Sequence, residues 1–194
     1  VGPLVPTRLT VLPSTITTWE QWRATHPDTQ VLSRDTGVYP RSTYGSNPYA
    51  GYANSSGVGF GVGPVDDRLE PKDLVYGVTV GGASVAYPER TLEPGDAVND
   101  RVGGLPVLVV ASPDDGGVRA FSREVGNETL RFEAGEGALV DQHGHRWSYA
   151  GVALEGPREG EQLDRLGAHG VYWFAWSRFH PDTGLYGTNE TGKG

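Results

Sequence analysis

Asp141, His143 and His145 are the residues best suited to chemistry, standing two apart in the run Asp141-Gln142-His143-Gly144-His145. On an extended strand such positions share a face, so two imidazoles and a carboxylate could grip a transition metal ion such as Zn, Cu or Ni. The competing reading is a polar turn between strands, which the intervening Gln and Gly favour; His169 would add a ligand only if the fold brought it in. A second pairing occurs twice, with His26 ahead of Asp28 and His180 ahead of Asp182, each inside His-Pro-Asp-Thr. A carboxylate two residues on could orient an imidazole as a general base. Alternatively Pro stops a helix, Asp and Thr bond the turn backbone, and His packs on a tryptophan ring. Two copies in one chain favour the structural account, because an active site is seldom needed twice.

Other chemistries are excluded more simply. There is no Cys, so disulfides, thiolate metal sites and thiol nucleophiles are absent. No Gly-x-Ser-x-Gly elbow and no phosphate-binding Gly-Lys-Ser/Thr loop occurs. The acidic pairs Asp66-Asp67 and Asp114-Asp115 lack the alternating spacing of a calcium loop and read as solvated turns. No resident cofactor is expected, the alternative being the metal ion above.

Tryptophan organises the chain. Trp19 and Trp22, like Trp173 and Trp176, are spaced to share one helical face. The reading is core anchors on short helices, with an aromatic platform for sugars as the rival. Tyr39, Tyr44, Tyr49 and Tyr52 stand instead among Ser, Asn, Pro and Gly, a composition suited to an interaction surface or to a loop packed on a neighbouring unit.

The two Trp pairs belong to an internal repeat. Trp19, Trp22, His26, Pro27, Asp28 and Thr29 recur 154 positions later as Trp173, Trp176, His180, Pro181, Asp182 and Thr183. The same register carries Gly2-Pro3 onto Gly156-Pro157, and Leu9 and Leu12 onto Leu163 and Leu166. Residues 1–60 therefore read as the tail of a first repeat unit, 61–73 as a Gly/Pro-rich connector, 74–187 as a fuller second unit and 188–194 as a tail. Helices are predicted over Thr18 to Ala24 and Val171 to Arg178. Strands are predicted over Leu74 to Val80, Ser84 to Tyr87, Pro106 to Ala111, Val118 to Ser122, Glu128 to Phe132, Ala138 to Asp141 and Arg146 to Val152. With 29 Gly and 14 Pro in 194 residues, long helices are disfavoured. The expected fold is α+β and mostly β: short antiparallel strands and hairpins, short Trp-bearing helices, tandem related units.

A formal charge of −8 with a sequence pI near 5.1 leaves no basic stripe for phosphates, so nucleic acid is not an expected partner. No apolar run is long enough to span a membrane. Met is absent and the chain begins at Val1, which reads as the product of a longer precursor. Three of the five Asn, at Asn54, Asn127 and Asn189, head Asn-x-Ser/Thr acceptor sites, where chance would give fewer than about one. Surface glycosylation is the corresponding expectation.

Leu12-Pro13-Ser14-Thr15, Trp19-x-x-Trp22, His26-Pro27-Asp28-Thr29 and Val31-Leu32-Ser33-Arg34-Asp35-Thr36-Gly37 resemble the domain of unknown function 3179 family. So do Ala86-Tyr87-Pro88, Val98-Asn99-Asp100, Gly103-Gly104-x-Pro106, Ala120-Phe121-x-Arg123 and Phe174-Ala175-Trp176. The resemblance covers nearly the whole chain. It implies an exported bacterial or archaeal protein of two related halves, of which this is the later part. Earlier halves of the family carry a His-Glu beside Val-Asn-Asp and a Cys-Pro-x-Cys after a strand. The matching places here are Gly95-Asp96 and Ser112-Pro113-Asp114-Asp115, which implies a structural copy without that chemistry.

The function expected on these grounds is a non-enzymatic structural or interaction module, extracellular or on the cell surface, with the periplasm as the other compartment. Its expected partner is itself, assembling head to tail, or an absent N-terminal segment. The rivals are a metal-dependent protein using His143 and His145, and a carbohydrate-binding module.

Overall fold

The computed structural model describes residues 2–7, 12–53, 55, 57–59 and 65–187. Asn54 and Asn189, Leu9, residues 61–64 of the Gly/Pro-rich connector and the 188–194 tail lie outside the described residues.

The first third of the chain holds α1 (Trp19–Thr25), a 3-10 turn at Arg41–Gly45 and the single turn α2 (Ala50–Ala53). Among the described residues before 60 none lies in a strand and none is buried. The strands follow and form four sheets. First come β1 (Leu74–Val80), β2 (Ala83–Pro88), β3 (Ala97–Val102), β4 (Leu105–Ala111) and β5 (Val118–Ser122). Then come β6 (Glu124–Val125), β7 (Glu128–Thr129), β8 (Phe132–Gly135), β9 (Ala138–Asp141) and β10 (Arg146–Trp147). The end of the chain supplies β11 (Arg165–Leu166), β12 (Ala168–Tyr172), α3 (Trp173–Phe179) and β13 (Gly184–Leu185).

Local chemistry explains the hairpins. Gly81 and Gly82 take φ of +58° and +88°, a turn conformation that side chains disfavour, and fold β1 back on β2 with Val80 opposite Ala83. Around this hairpin the chain closes a sheet of order β12-β1-β2-β13, in which β12 is antiparallel to β1 and β13 parallel to β2. The strand–helix–strand unit β12-α3-β13 thus straddles the hairpin. A second sheet has order β11-β5-β4-β3, a third β10-β9-β8, and β6 pairs with β7.

Side-chain alternation stacks these layers. On β1, Tyr76 and Val78 face the second sheet, while Val75 faces α3 and packs with Trp173, Trp176, Ala86 and Leu185. On β4, Val107 and Val109 join the core shared with the first sheet, and Leu108 and Val110 join Phe121, Phe132, Leu139 and Trp147 beneath. β4 is buried on both faces, as its unbroken apolar run requires.

The predicted elements hold with local corrections. The helix expected from Val171 starts at Trp173, because Val171 and Tyr172 pair with Val75 and Leu74. The strand expected over Glu128 to Phe132 is split, and that over Arg146 to Val152 ends at Trp147, where Ser148 and Gly151 close a turn. β3, β6, β11, β13 and residues 168–170 of β12 carry no sequence prediction. In β3 the polar Asn99, Asp100 and Arg101 interrupt the apolar pattern. No helix among the described residues is long and apolar enough to cross a membrane.

Candidate functional site

The repeated helix–turn is built twice with the same geometry. α1 ends at His26 with φ −133° and ψ 69°, and α3 ends at His180 with φ −132° and ψ 70°. Each imidazole lies 3.9 Å from an indole, His26 on Trp22 and His180 on Trp176. Trp22 Nε1 donates to Thr29 Oγ1 at 2.8 Å, and Trp176 Nε1 to Thr183 Oγ1 at 2.9 Å. The turn is closed by the threonine N–H on the histidine carbonyl, at 3.2 Å and 3.1 Å. The threonine hydroxyl therefore serves the indole, while Asp28 and Asp182 are exposed. Neither histidine meets the carboxylate two residues on: His26 Nδ1 contacts Thr25 Oγ1 at 2.8 Å and His180 Nδ1 contacts Ser84 Oγ at 3.0 Å. The general-base pairing is not formed.

What differs is the surroundings. Trp173 and Trp176 are 0% and 6% exposed, whereas Trp19 and Trp22 are 50% and 39% exposed. The core-anchor expectation is met by the second pair and corrected for the first. In the second copy Trp176 lies over Gly77 of β1, where an added Cβ would meet the indole at 2.1 Å. Trp173 Nε1 donates to the Asp66 carbonyl at 2.9 Å, and the Arg68 guanidinium sits 5.3 Å above its ring. The first N–H groups of α3 donate to the Asp73 and Pro71 carbonyls, from Trp173 at 2.8 Å and Phe174 at 2.9 Å. Among the described residues α1 has no such acceptors, and it caps itself: Gln21 N donates to Thr18 Oγ1, and Thr18 N to Gln21 Oε1, each at 3.2 Å. Burial pushes the His180 pKa below its ordinary value.

α1 is nevertheless held on the second half by the segment before it. Arg165 donates to Thr15 Oγ1, the Thr17 hydroxyl to the Asp115 carbonyl, and Ile16 packs on Gly170 of β12. Asp115 sits in the β4–β5 turn. Burial works against its charge, but the Arg119 guanidinium and the Gly117 N–H hold its carboxyl below the usual range. Asp66 is likewise paired, with Arg68 at 2.7 Å. The tyrosines lie on the surface: Tyr39 meets Tyr44 edge-on at 6.3 Å, and the Lys72 ammonium sits 3.7 Å from the Tyr52 ring.

The Asp141–His145 run is the polar turn after β9. Asp141 is buried, and Oδ1 accepts the backbone N–H groups of His143 at 2.9 Å and His145 at 3.0 Å. Its Oδ2 accepts the buried Trp147 Nε1 at 3.0 Å. Burial would raise this carboxyl, yet these donors hold it below the usual range. The His143 and His145 ring centres are 6.0 Å apart. His143 Nε2 turns outward to Glu128, whose other oxygen meets Arg158 at 3.4 Å. His145 Nδ1 lies 3.3 Å from Asp141 Oδ2 without hydrogen-bond alignment, and His169 meets Ser14 Oγ at 3.5 Å instead. Among the described residues, no group of three or more His, Asp or Glu is arranged to hold a metal ion. Asn127 stands exposed in the turn between β6 and β7.

A third cluster was visible in sequence only as motif residues. Asn99 exchanges two hydrogen bonds with the Phe132 backbone, donating at 2.6 Å and accepting at 2.9 Å, which ties β3 to β8. Arg123 donates to the carbonyls of Val107, Leu130 and Asp100 at 3.1, 2.8 and 3.1 Å. Burial, with Arg101 and Arg131 nearby, pushes this guanidinium pKa down. The buried Tyr87 hydroxyl donates to Asp100 Oδ2 at 2.7 Å, and its phenol is pushed far up by burial and by that carboxylate. The signal was polar residues set in apolar strands. Their polar atoms are largely spent on internal bonds that join the layers.

No curated protein and no solved structure matches the chain. The family described as "Protein of unknown function (DUF3179)" matches residues 1–183, and the chain, with its twice-built Trp–His helix turn, belongs to that family.

Proposed function

We propose that the chain is a non-enzymatic structural and interaction module of a secreted or cell-surface protein, whose open Trp19–Trp22 face is completed by another polypeptide. One observation carries this reading: the same helix turn is built twice, once with its indoles buried in the core and once with them exposed. Exposed tryptophan on a pre-formed, self-capped helix is the composition of an interface centre. The polar motif residues support it, since Asn99, Arg123 and Tyr87 are engaged in bonds between layers. An accessible Asn127 is consistent with a surface location, with N-glycosylation as the corresponding modification.

Hydroxyl-radical footprinting tests the reading. Trp19 and Trp22 should oxidise readily in the isolated 194-residue chain and be protected several-fold in protein labelled on its source cells, with Trp173 and Trp176 protected in both. Equal oxidation of Trp19 and Trp22 in both settings would overturn it.

The exposure of the first pair also favours a second reading, a sugar platform. One face of Trp22 is already covered by His26 at 3.9 Å and 5° between planes, leaving a single stacking face. Quenching of tryptophan fluorescence by glycans, abolished by Trp22→Ala, would establish this alternative.

A further inference from the structure

Deepening the reading above, we infer that the Trp19–Trp22 face is a socket for a β-hairpin from the front of another unit of the same repeat, entering between residues 14–18 and 30–31. The second copy shows the occupied state. There, β12 and β13 flank the β1–β2 hairpin, α3 crosses it, and Trp176 rests on Gly77. Shifted by 154 positions, β12 falls on Ser14–Thr18 and β13 on Gln30–Val31.

The first copy has the parts of the socket without the insert. Thr15, Ile16, Thr17 and Thr18 form a β-branched run, the composition of a strand, yet they pair with no strand among the described residues. Val31, the counterpart of buried Leu185, is 68% exposed, and Leu32 beside it is 94% exposed. A hairpin docked here would pair its first strand antiparallel with 14–18 and its second parallel with 30–31. Its first strand would carry glycine under Trp22, because Gly77 shows that no side chain fits below the equivalent indole. Such β-augmentation satisfies both open edges at once. A second copy of this chain does not provide the insert, because the outer edges of its β1–β2 hairpin are already taken by β12 and β13. The self-capped α1 needs no counterpart of the Pro71 and Asp73 carbonyls, so the hairpin alone suffices.

The test fuses an extra copy of residues 65–92 ahead of the full chain through a Gly/Ser linker and follows amide hydrogen exchange at 14–18 and 29–32. Exchange there should slow at least about tenfold relative to the unfused chain, and should return to the unfused rate when the extra copy carries Gly77→Val. Unchanged exchange with the glycine hairpin, or equal slowing with both hairpins, would overturn the proposal. Footprinting reports whether the face is covered and the fusion reports what covers it, so the two readings fail separately.

Discussion

The indole of Trp176 rests on the bare Cα of Gly77, and the space a Cβ would need there is taken by the ring, 2.1 Å away. This contact presses α3 onto β1 and lets the strand–helix–strand unit straddle its hairpin. Gly77→Ala should therefore destabilise the protein by about 1–3 kcal/mol, the usual range for overpacking a close-packed core, read as a fall in the urea midpoint at unchanged slope.

The two tryptophan pairs should respond differently to the same change. Trp176→Ala removes a buried indole and should cost about 3–5 kcal/mol. Trp22→Ala removes a half-exposed one and should cost about 1 kcal/mol or less. Chemical denaturation of the isolated chain measures both, and equal losses would mean that the first copy is buried in solution.

Asp141 makes stability depend on acid pH. Its folded pKa lies below the ordinary carboxylate value, so its contribution is complete above about pH 4 and is lost as the pH falls through the depressed value. Asp141→Asn should be less stable than the parent at neutral pH, since the amide sets a donor where Trp147 Nε1 or a backbone N–H already points. The gap should narrow toward about pH 2, as paired urea titrations would show.

His180 acts in a higher window. Burial lowers its folded pKa, so the unfolded chain binds the extra proton first. The contribution is complete above about pH 6.5 and is lost as the pH falls through the folded value. His180→Phe keeps a ring against Trp176 but cannot titrate. Its thermal midpoint should change less than the parent's between about pH 7 and pH 5.

Asn99→Ala would strand the Phe132 N–H and C=O at the junction of β3 and β8. A loss on the order of 3 kcal/mol is expected from two buried unpaired groups. Faster hydrogen exchange confined at first to β8 and β9 would identify that junction as the cause.

Much of this architecture was legible in residue types. The Gly81-Gly82 pair and the β-branched runs beside it mark the first hairpin, because the turn demands φ values that glycine alone adopts freely. The repeated His-Pro-Asp-Thr marks both helix ends, since proline bars continuation and the chemistry of the turn is local. β3 was not legible: Asn99 and Asp100 look like loop residues until Phe132 and Tyr87 arrive from distant positions to bond them. The threonine–indole bond, though local, was missed because Asp28 and Asp182 stand as the more familiar turn formers.

The sequence by itself determined that two equivalent helix turns would form, each stacking His on Trp and tying the indole to Thr, because every partner lies within ten residues. It also determined that Asp141 would gather the turn that follows it. Only the tertiary structure decided which Trp pair is core and which is surface. That depends on a β-hairpin lying against one helix and not the other, and burial is set by long-range packing that no local pattern encodes.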